Sequence, residues 1–328
     1  MNISRHSKNC RSLVLKQKGL SLIELVVAVV ILALLMAGLA ELVVTNSRNA
    51  TATGKLARME ETGRTAIQIL ASDVRRAGYY GGNVVVADIG GSVGITTPDQ
   101  SCVDAAEDFT WATMLAEKVF GVNGAIPAVD FDCIIAGPDK GQLLRGDILT
   151  LRYTPSLLPD PDEPLADKRL YLRTTPMDGK VFQGENSADA DNLIDDASAL
   201  VYELAAHSYY VGNTGRQCQS VDIPALYRKS IHPTTGRPFS QELLAGVENM
   251  HFRYKVGSRY LLAGAVGLLD TAALWATVEA VEIVVLVRSE CPEAGFTNNR
   301  VFRFDGIDYD PSDGYRRQLF TSLTQLRN

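Results

Sequence analysis

From Leu20 to Ala40 the chain runs through apolar residues with one charged side chain, Glu24. At about 1.5 Å rise per residue, a helix of that length reaches about 30 Å, the thickness of a bilayer's hydrocarbon core. Arg5, Lys8, Arg11, Lys16 and Lys18 precede it with no acid among them. A basic segment ahead of an apolar one sets topology: the N-terminus stays in the cytoplasm and the body lies outside. A cleaved secretory signal would have a shorter apolar core followed by a small-x-small site, and neither is present, so the apolar segment is expected to be retained. Glu24 then needs a reason, because a carboxylate in a membrane segment costs a few kcal/mol at the centre and usually has a partner.

The rest of the 328 residues reads as a folded body. Hydrophobic residues make up 46% and charged residues 21%, a composition able to build a core. The net charge of −6 argues against nucleic-acid binding by the bulk of the protein. A local basic patch assembled by the fold is the route left open to a polyanion. No proline occurs before Pro98, and Leu56, Met59, Gly63, Ile67, Leu70 and Val74 recur at helical spacing. We therefore expect one helix from about Leu20 to Ala77, amphipathic in its second half, roughly 87 Å long. Gly38, Gly54 and Gly63 are points where it can bend or melt, and Gly78–Gly82 ends it. Beyond, 83–89, 147–153, 169–175, 250–256, 278–289 and 316–326 read as strands. Val281, Ile283, Val285 and Val287 line one face, with Glu282 and Arg288 marking the other, and His251 reads as a strand position. Short helices are expected near Ala105–Val119 and Thr271–Ala276, and surface loops at 155–164 and 186–197.

Candidate chemistry is sparse. Cys102, Cys133, Cys218 and Cys291 allow three pairings, of which Cys102–Cys133 and Cys218–Cys291 are the simplest; buried free thiols are the alternative. Neither these cysteines nor His6, His207, His232 and His251 have zinc spacing. Gly90–Gly94 satisfies G-x-S-x-G around Ser92, but the following Ile-Thr-Thr-Pro is poor helix material, so a glycine loop is the expected reading. Asp189, Asp191, Asp195 and Asp196 cluster as calcium ligands do, without the EF-hand order; a solvated acidic loop is favoured over a calcium site, and no other cofactor is expected.

Gly19-Leu20-Ser21-Leu22-Ile23-Glu24 resembles the class III leader of type IV pilins and pseudopilins. The resemblance implies cutting between Gly19 and Leu20 by a prepilin peptidase, N-methylation of the new terminus, and a role for Glu24 in assembly, neutralising an α-amine in an apolar bundle. Leu20 stands where the family most often has Phe. Residues 61–82, 246–257, 275–289 and 315–328 resemble the PilW family of large minor pilins, with only faint similarity across 83–240. This implies an α+β, type IV pilin-like fold: a cleaved leader at 1–19, an N-terminal helix at 20–78 (20–40 transmembrane or in the filament core, 41–78 amphipathic) packed on an antiparallel sheet, and an enlarged extracytoplasmic globular domain at 79–328. It also implies a structural subunit and no enzyme, one that primes or caps pilus assembly in support of adhesion or twitching motility. Its partners would be other minor pilins, the major pilin, the inner-membrane assembly platform, the prepilin peptidase and a tip adhesin. It would wait in the inner membrane with its body in the periplasm, then move to the pilus at the cell surface. The alternatives are a large type II secretion pseudopilin at the pseudopilus tip, and a membrane-anchored secreted enzyme or binding module.

Overall fold

The computed structural model describes residues 21–86, 89–91, 110–124, 134, 138–160, 162–187, 194, 196–263, 272–304 and 307–327. One helix, α1 (Leu22–Arg76), leads the described residues. By its contacts the chain divides after Gly54, so the first part of α1 stands in one unit and its last part in the other. Among the described residues there follow β1 (Ile89–Gly91), β2 (Val119–Val122), β3 (Leu143–Tyr153), β4 (Leu170–Thr174), β5 (Gly179–Gln183), β6 (Leu200–Glu203), β7 (Ala205–Cys218), β8 (Val221–Ile231), β9 (Pro238–Ala245), β10 (Val247–Val256), β11 (Arg259–Leu261), a short helix α2 (Ala272–Ala276), β12 (Ala280–Arg288), β13 (Phe302–Phe304), β14 (Ile307–Tyr309) and β15 (Arg317–Gln325).

The architecture is α+β, a long N-terminal helix with antiparallel sheets. Helix α1 is unbroken through Gly38, Gly54 and Gly63, where the sequence allowed a bend. It stops where expected: Gly78 takes φ 84°, and its N–H donates to Arg152 O at 2.9 Å. The left-handed residue turns the chain away, and the next N–H, of Tyr79, donates to the helix-end carbonyl of Arg76 at 2.9 Å. Within the second unit, the buried side of α1 begins at Met59 and includes Ala66, Leu70, Ala71 and Val74; Leu56, expected on that face, is exposed.

That helical face shares a core with two sheets. The first runs β11-β10-β12-β15, antiparallel throughout, with Phe252 opposite Ile283 and Ile283 opposite Ser322. Val281, Ile283, Val285 and Val287 do form one buried face against the helix cluster. The opposite face is not open to solvent as the sequence suggested. Leu286 is buried there under Phe302 and Phe304, Arg288 is buried, and the His251 ring lies 4.5 Å from that of Phe304. The β13–β14 hairpin thus covers a sheet face that alternation alone marks as polar. The second sheet, β2-β3-β7-β8-β9, is also antiparallel and gives Leu149, Leu151, Tyr209, Val211 and Leu226 to the same core. Tyr210, Ala225, Tyr227 and Ile148 of this sheet pack instead with Trp111, Leu115 and Tyr80 and with Leu170, Leu172 and Val181 of a third sheet, β1-β5-β4-β6. In that sheet only the β1–β5 pair is parallel.

Two expected elements fail for a shared reason: their backbone groups are taken by other partners. The run at 83–89 has no strand in 83–86. Asn83 Nδ2 donates to Thr175 O and Asp178 O at 3.1 and 3.0 Å, and Val84 N–H donates to Pro176 O at 2.9 Å, pinning the segment across the β4–β5 turn. The expected helix near Ala105–Val119 is, from residue 110 onward, one 3-10 turn (Thr110–Ala112), with Val119 opening β2. Its carbonyls serve a buried cation: Arg152 donates through Nε to Trp111 O and through a terminal nitrogen to Glu117 O, both at 2.6 Å. Burial pushes the Arg152 guanidinium down to about 10, against the raising influence of Tyr80 and Glu117. The helix at 272–276 and the strands through 143–153, 170–174, 247–256, 280–288 and 317–325 agree with the sequence reading.

Strands β7, β8 and β9 fall where the sequence reading named no element. Gly212, Asn213, Gly215 and Pro224 interrupt the pattern there, and the β7–β8 register shifts between Asn213 and Gln217. The β7–β8 turn is Gln219-Ser220, both at positive φ (52° and 63°). That is the twist a two-residue hairpin needs, without the Asn-Gly pair that would announce it.

Candidate functional site

The N-terminal turn of α1 is where sequence and geometry meet. Ser21 stands just ahead of the helix, and its backbone N–H donates to Glu24 Oε2 at 3.1 Å. Ser-x-x-Glu is a capping box, in which the third helical residue reaches back to an orphaned donor at the helix start. The sequence reading assigned Glu24 to an α-amine and overlooked this second use, although the spacing was legible. Ser21 adjoins Leu20, so the carboxylate sits one residue from the terminus that cutting after Gly19 would create; Gly19 and Leu20 lie outside the described residues. From Leu22 to Val44 the large side chains of α1 are exposed, from 81% at Leu22 to 48% at Val44. The most apolar window of the helix has a mean hydropathy of 2.9 and none of it is buried. That surface is long enough and greasy enough for lipid or for packing with other helices.

The second half of α1 is held in the body by polar groups as well as apolar ones. Asp73 is buried, and three donors converge on it: Tyr209 OH at 2.6 Å and His207 Nδ1 at 2.7 Å on Oδ2, and Arg76 at 2.6 Å on Oδ1. Burial opposes ionisation of Asp73, but His207, Tyr209 and Arg76 together outweigh it, and the carboxyl is held below its ordinary value. Burial, with the Asp73 charge beside it, pushes the Tyr209 phenol well up, which keeps it a donor. An Asp–His pair joined through Nδ1 has the form of a catalytic relay, but among the described residues no serine or cysteine hydrogen-bonds to the His207 ring. The arrangement fastens helix to sheet.

A second buried carboxylate, Glu248, gathers Arg317, Arg288, Arg145 and Tyr309. Arg317 binds it bidentately, its second contact at 2.9 Å, Tyr309 OH donates at 2.9 Å, and Arg288 stands 3.6 Å away. The cluster joins β3, β10, β12, β14 and β15, so it too reads as a clasp. Neither carboxylate cluster was visible in the sequence, because the partners of each lie far apart along the chain.

Cys218 and Cys291 form a disulfide, with Cα atoms 5.4 Å apart, joining the end of β7 to the loop after β12. Cys102, Cys133, Ser92 and three of the four calcium candidates, Asp189, Asp191 and Asp195, lie outside the described residues. The fourth, Asp196, accepts the Ser198 N–H and hydroxyl at 2.8 and 2.7 Å, a local turn. Among the described residues no three His, Cys, Asp or Glu side chains gather as metal ligands do.

Known proteins resemble the two ends of the chain. Residues 15–40 match the family described as the prokaryotic N-terminal methylation motif, and residues 208–328 match the family described as type IV pilus-assembly protein W. The resemblance to PilW drawn from the sequence holds over that stretch and starts earlier than expected, taking in most of β7 and all of β8 and β9. Among solved structures, the type IV-like pilin TTHA1219 from Thermus thermophilus is similar at 14% identity and a TM-score of 0.36, over 82% of this chain and 97% of that one. Comparison with curated proteins gives no match.

Proposed function

We propose that the chain is a minor pilin, a structural subunit that primes or caps a type IV pilus and catalyses nothing. The observation that carries this reading is the methylation motif running directly into an apolar helix whose whole first half is unburied. A leader at 1–19 would be removed after Gly19 by a prepilin peptidase and the new terminus at Leu20 methylated. The 20–40 segment would hold the protein in the inner membrane with the body outside, and assembly would then transfer that segment into the filament core. There Glu24, already 3.1 Å from the Ser21 N–H, would neutralise the α-amine of its own chain or of a neighbour. Burying both charges penalises every register that leaves one unpaired. The bulk of the 79–328 domain favours the tip over repeated packing along a shaft. Its partners would be other minor pilins, the major pilin, the assembly platform and an adhesin at the tip, in support of adhesion or twitching.

N-terminal mass spectrometry of the membrane-extracted protein tests the first step. A methylated chain beginning at Leu20 is expected, and one beginning at Met1 defeats the reading. For assembly, Glu24→Ala should be cut normally yet be depleted from sheared filaments. Immunogold label spread evenly along the shaft would contradict placement at the tip.

A further inference from the structure

The sheet β11-β10-β12-β15 ends on β15, which among the described residues pairs with β12 alone. Its nine residues keep one unshifted register, from Arg317 opposite Arg288 to Gln325 opposite Ala280. Two bonds bracket the ladder and fix which way each backbone group points: Ser289 N–H donates to Arg316 O, and Leu326 N–H donates to Glu279 O, each at 2.9 Å. Antiparallel pairs alternate between residues that exchange both bonds and residues that exchange none. Counting inward from either bracket, Gln318, Phe320, Ser322 and Thr324 bond to β12. Leu319, Thr321, Leu323 and Gln325 therefore turn their N–H and C=O groups away from it. Among the described residues nothing bonds to those outward groups.

A long unpaired edge is a template for another strand, and folded proteins blunt such edges with proline, charge, bulges or shortness. The other described edges carry those devices. Strands β1, β2, β6, β11, β13 and β14 have three or four residues each. Strand β9 opens on Pro238, carries Glu242 and meets β8 through a register shift between Leu226 and Tyr227. Strand β15 has none of these: no proline, no shift against β12 and no charge from Gln318 to Gln325. Thr321, Leu323 and Gln325 are exposed, Leu323 at 54%.

Chain direction decides what seats there. Gly63 lies against the Phe320 ring, and Arg327 N–H donates to Arg75 O at 3.2 Å, so the last part of α1 and β15 run the same way. An antiparallel β15 from a second copy would bring that copy's α1 in reversed. Copies inserted in one membrane enter it from the same side, which rules that pairing out. We propose that the outer edge of β15 takes an antiparallel strand from a different subunit of the filament. Its backbone bonds to Leu319, Thr321, Leu323 and Gln325, and its side chains beside Leu319 and Leu323 are apolar or β-branched and uncharged. The antiparallel sense continues that of the sheet and is the more stable per residue. The inference rests on the pilus reading and adds to it the way a neighbour is held.

Proline scanning separates the edge from the fold. Thr321→Pro removes an outward N–H and Ser322→Pro an inward one, so only the second should lower the melting midpoint of the full chain in detergent micelles. In cells, Thr321→Pro should reach the membrane at the parent's level yet fall at least about tenfold in sheared filaments. Thr321→Val keeps the N–H and should stay at the parent's level. Benzoylphenylalanine in place of Leu323, cross-linked in filaments and mapped by mass spectrometry, should join a segment of a different subunit. A midpoint lowered as far by Thr321→Pro as by Ser322→Pro overturns the assignment of the outward groups. Thr321→Pro as abundant in filaments as the parent, or Thr321→Val as depleted as Thr321→Pro, overturns strand addition. A cross-link to β15 of a second copy overturns the occupant. A parent present in the membrane but absent from filaments defeats the pilus reading and this inference with it.

Discussion

Replacing Gly63 by Ala should destabilise the body, against the rule that alanine strengthens helices. A Cβ built on Gly63 would come within 2.1, 2.3 and 2.4 Å of three ring atoms of Phe320, on β15. Overpacking of that severity costs about 3 kcal/mol, the upper end of the usual range. The helix-propensity gain of Gly→Ala returns about 1 kcal/mol, leaving a net loss of about 2 kcal/mol. For a body of this size that is a fall in Tm of roughly 4–8 °C. In a Phe320→Ala background the obstruction is gone, and Gly63→Ala should then stabilise by about 1 kcal/mol. The sign reversal is the signature, since the two changes would be coupled by about 3 kcal/mol, well beyond ordinary additivity. Near-ultraviolet circular dichroism melts of the four proteins in detergent measure it. If Gly63→Ala raises Tm in both backgrounds, the close approach of α1 to β15 does not constrain the helix and the argument fails.

Cys218→Ser with Cys291→Ser opens a link between residues 73 apart in sequence, which chain entropy values at about 4 kcal/mol. The melting midpoint should drop on the order of 10 °C, and dithiothreitol should lower the parent by at least as much. Asp73→Asn keeps the shape and removes the charge that Tyr209, His207 and Arg76 share, costing about 2–3 kcal/mol in denaturant titrations. Because the folded Asp73 carboxyl is held low, its contribution is full above its unfolded value of about 3.9 and is lost as pH falls through the folded one. The parent should therefore lose stability in acid more steeply than Asp73→Asn does; parallel acid profiles would remove Asp73 from the account. Glu248→Gln leaves Arg317 with Asp313 as its remaining carboxylate, at 2.7 Å through a terminal nitrogen, and Arg288 beside a neutral amide, and should cost about 3 kcal/mol, the lower end for a broken buried pair; a urea midpoint within error of the parent would show the clasp to be idle.

What could be read from the sequence was what repeats along it. The apolar run, the helical spacing from Met59 to Val74 and the alternation in β12 each report a local environment at a fixed period, so α1 and the β10-β12-β15 sheet were legible. Gly63 was marked only as a weak point, because sequence cannot say that Phe320 lies against it. Asp73 stood inside a recognisable segment, yet its meaning depends on His207, separated by 134 positions. Strands β7 and β8 were hidden because glycine, asparagine and proline at bulges look like loop. Glu24 is the reverse case: Ser-x-x-Glu states a cap in four letters, and a more conspicuous reading of the acid obscured it.

The bridge between Cys218 and Cys291 fastens a hairpin of the five-stranded sheet to the segment leaving β12 of its neighbour. A pull along their length loads all the rungs of a hydrogen-bonded ladder together, and strands slide past each other once the rungs yield. A sulfur bond across the seam turns that slippage into a choice between holding and breaking covalently. A load that reaches one sheet through this hairpin is passed to the other through the bridge.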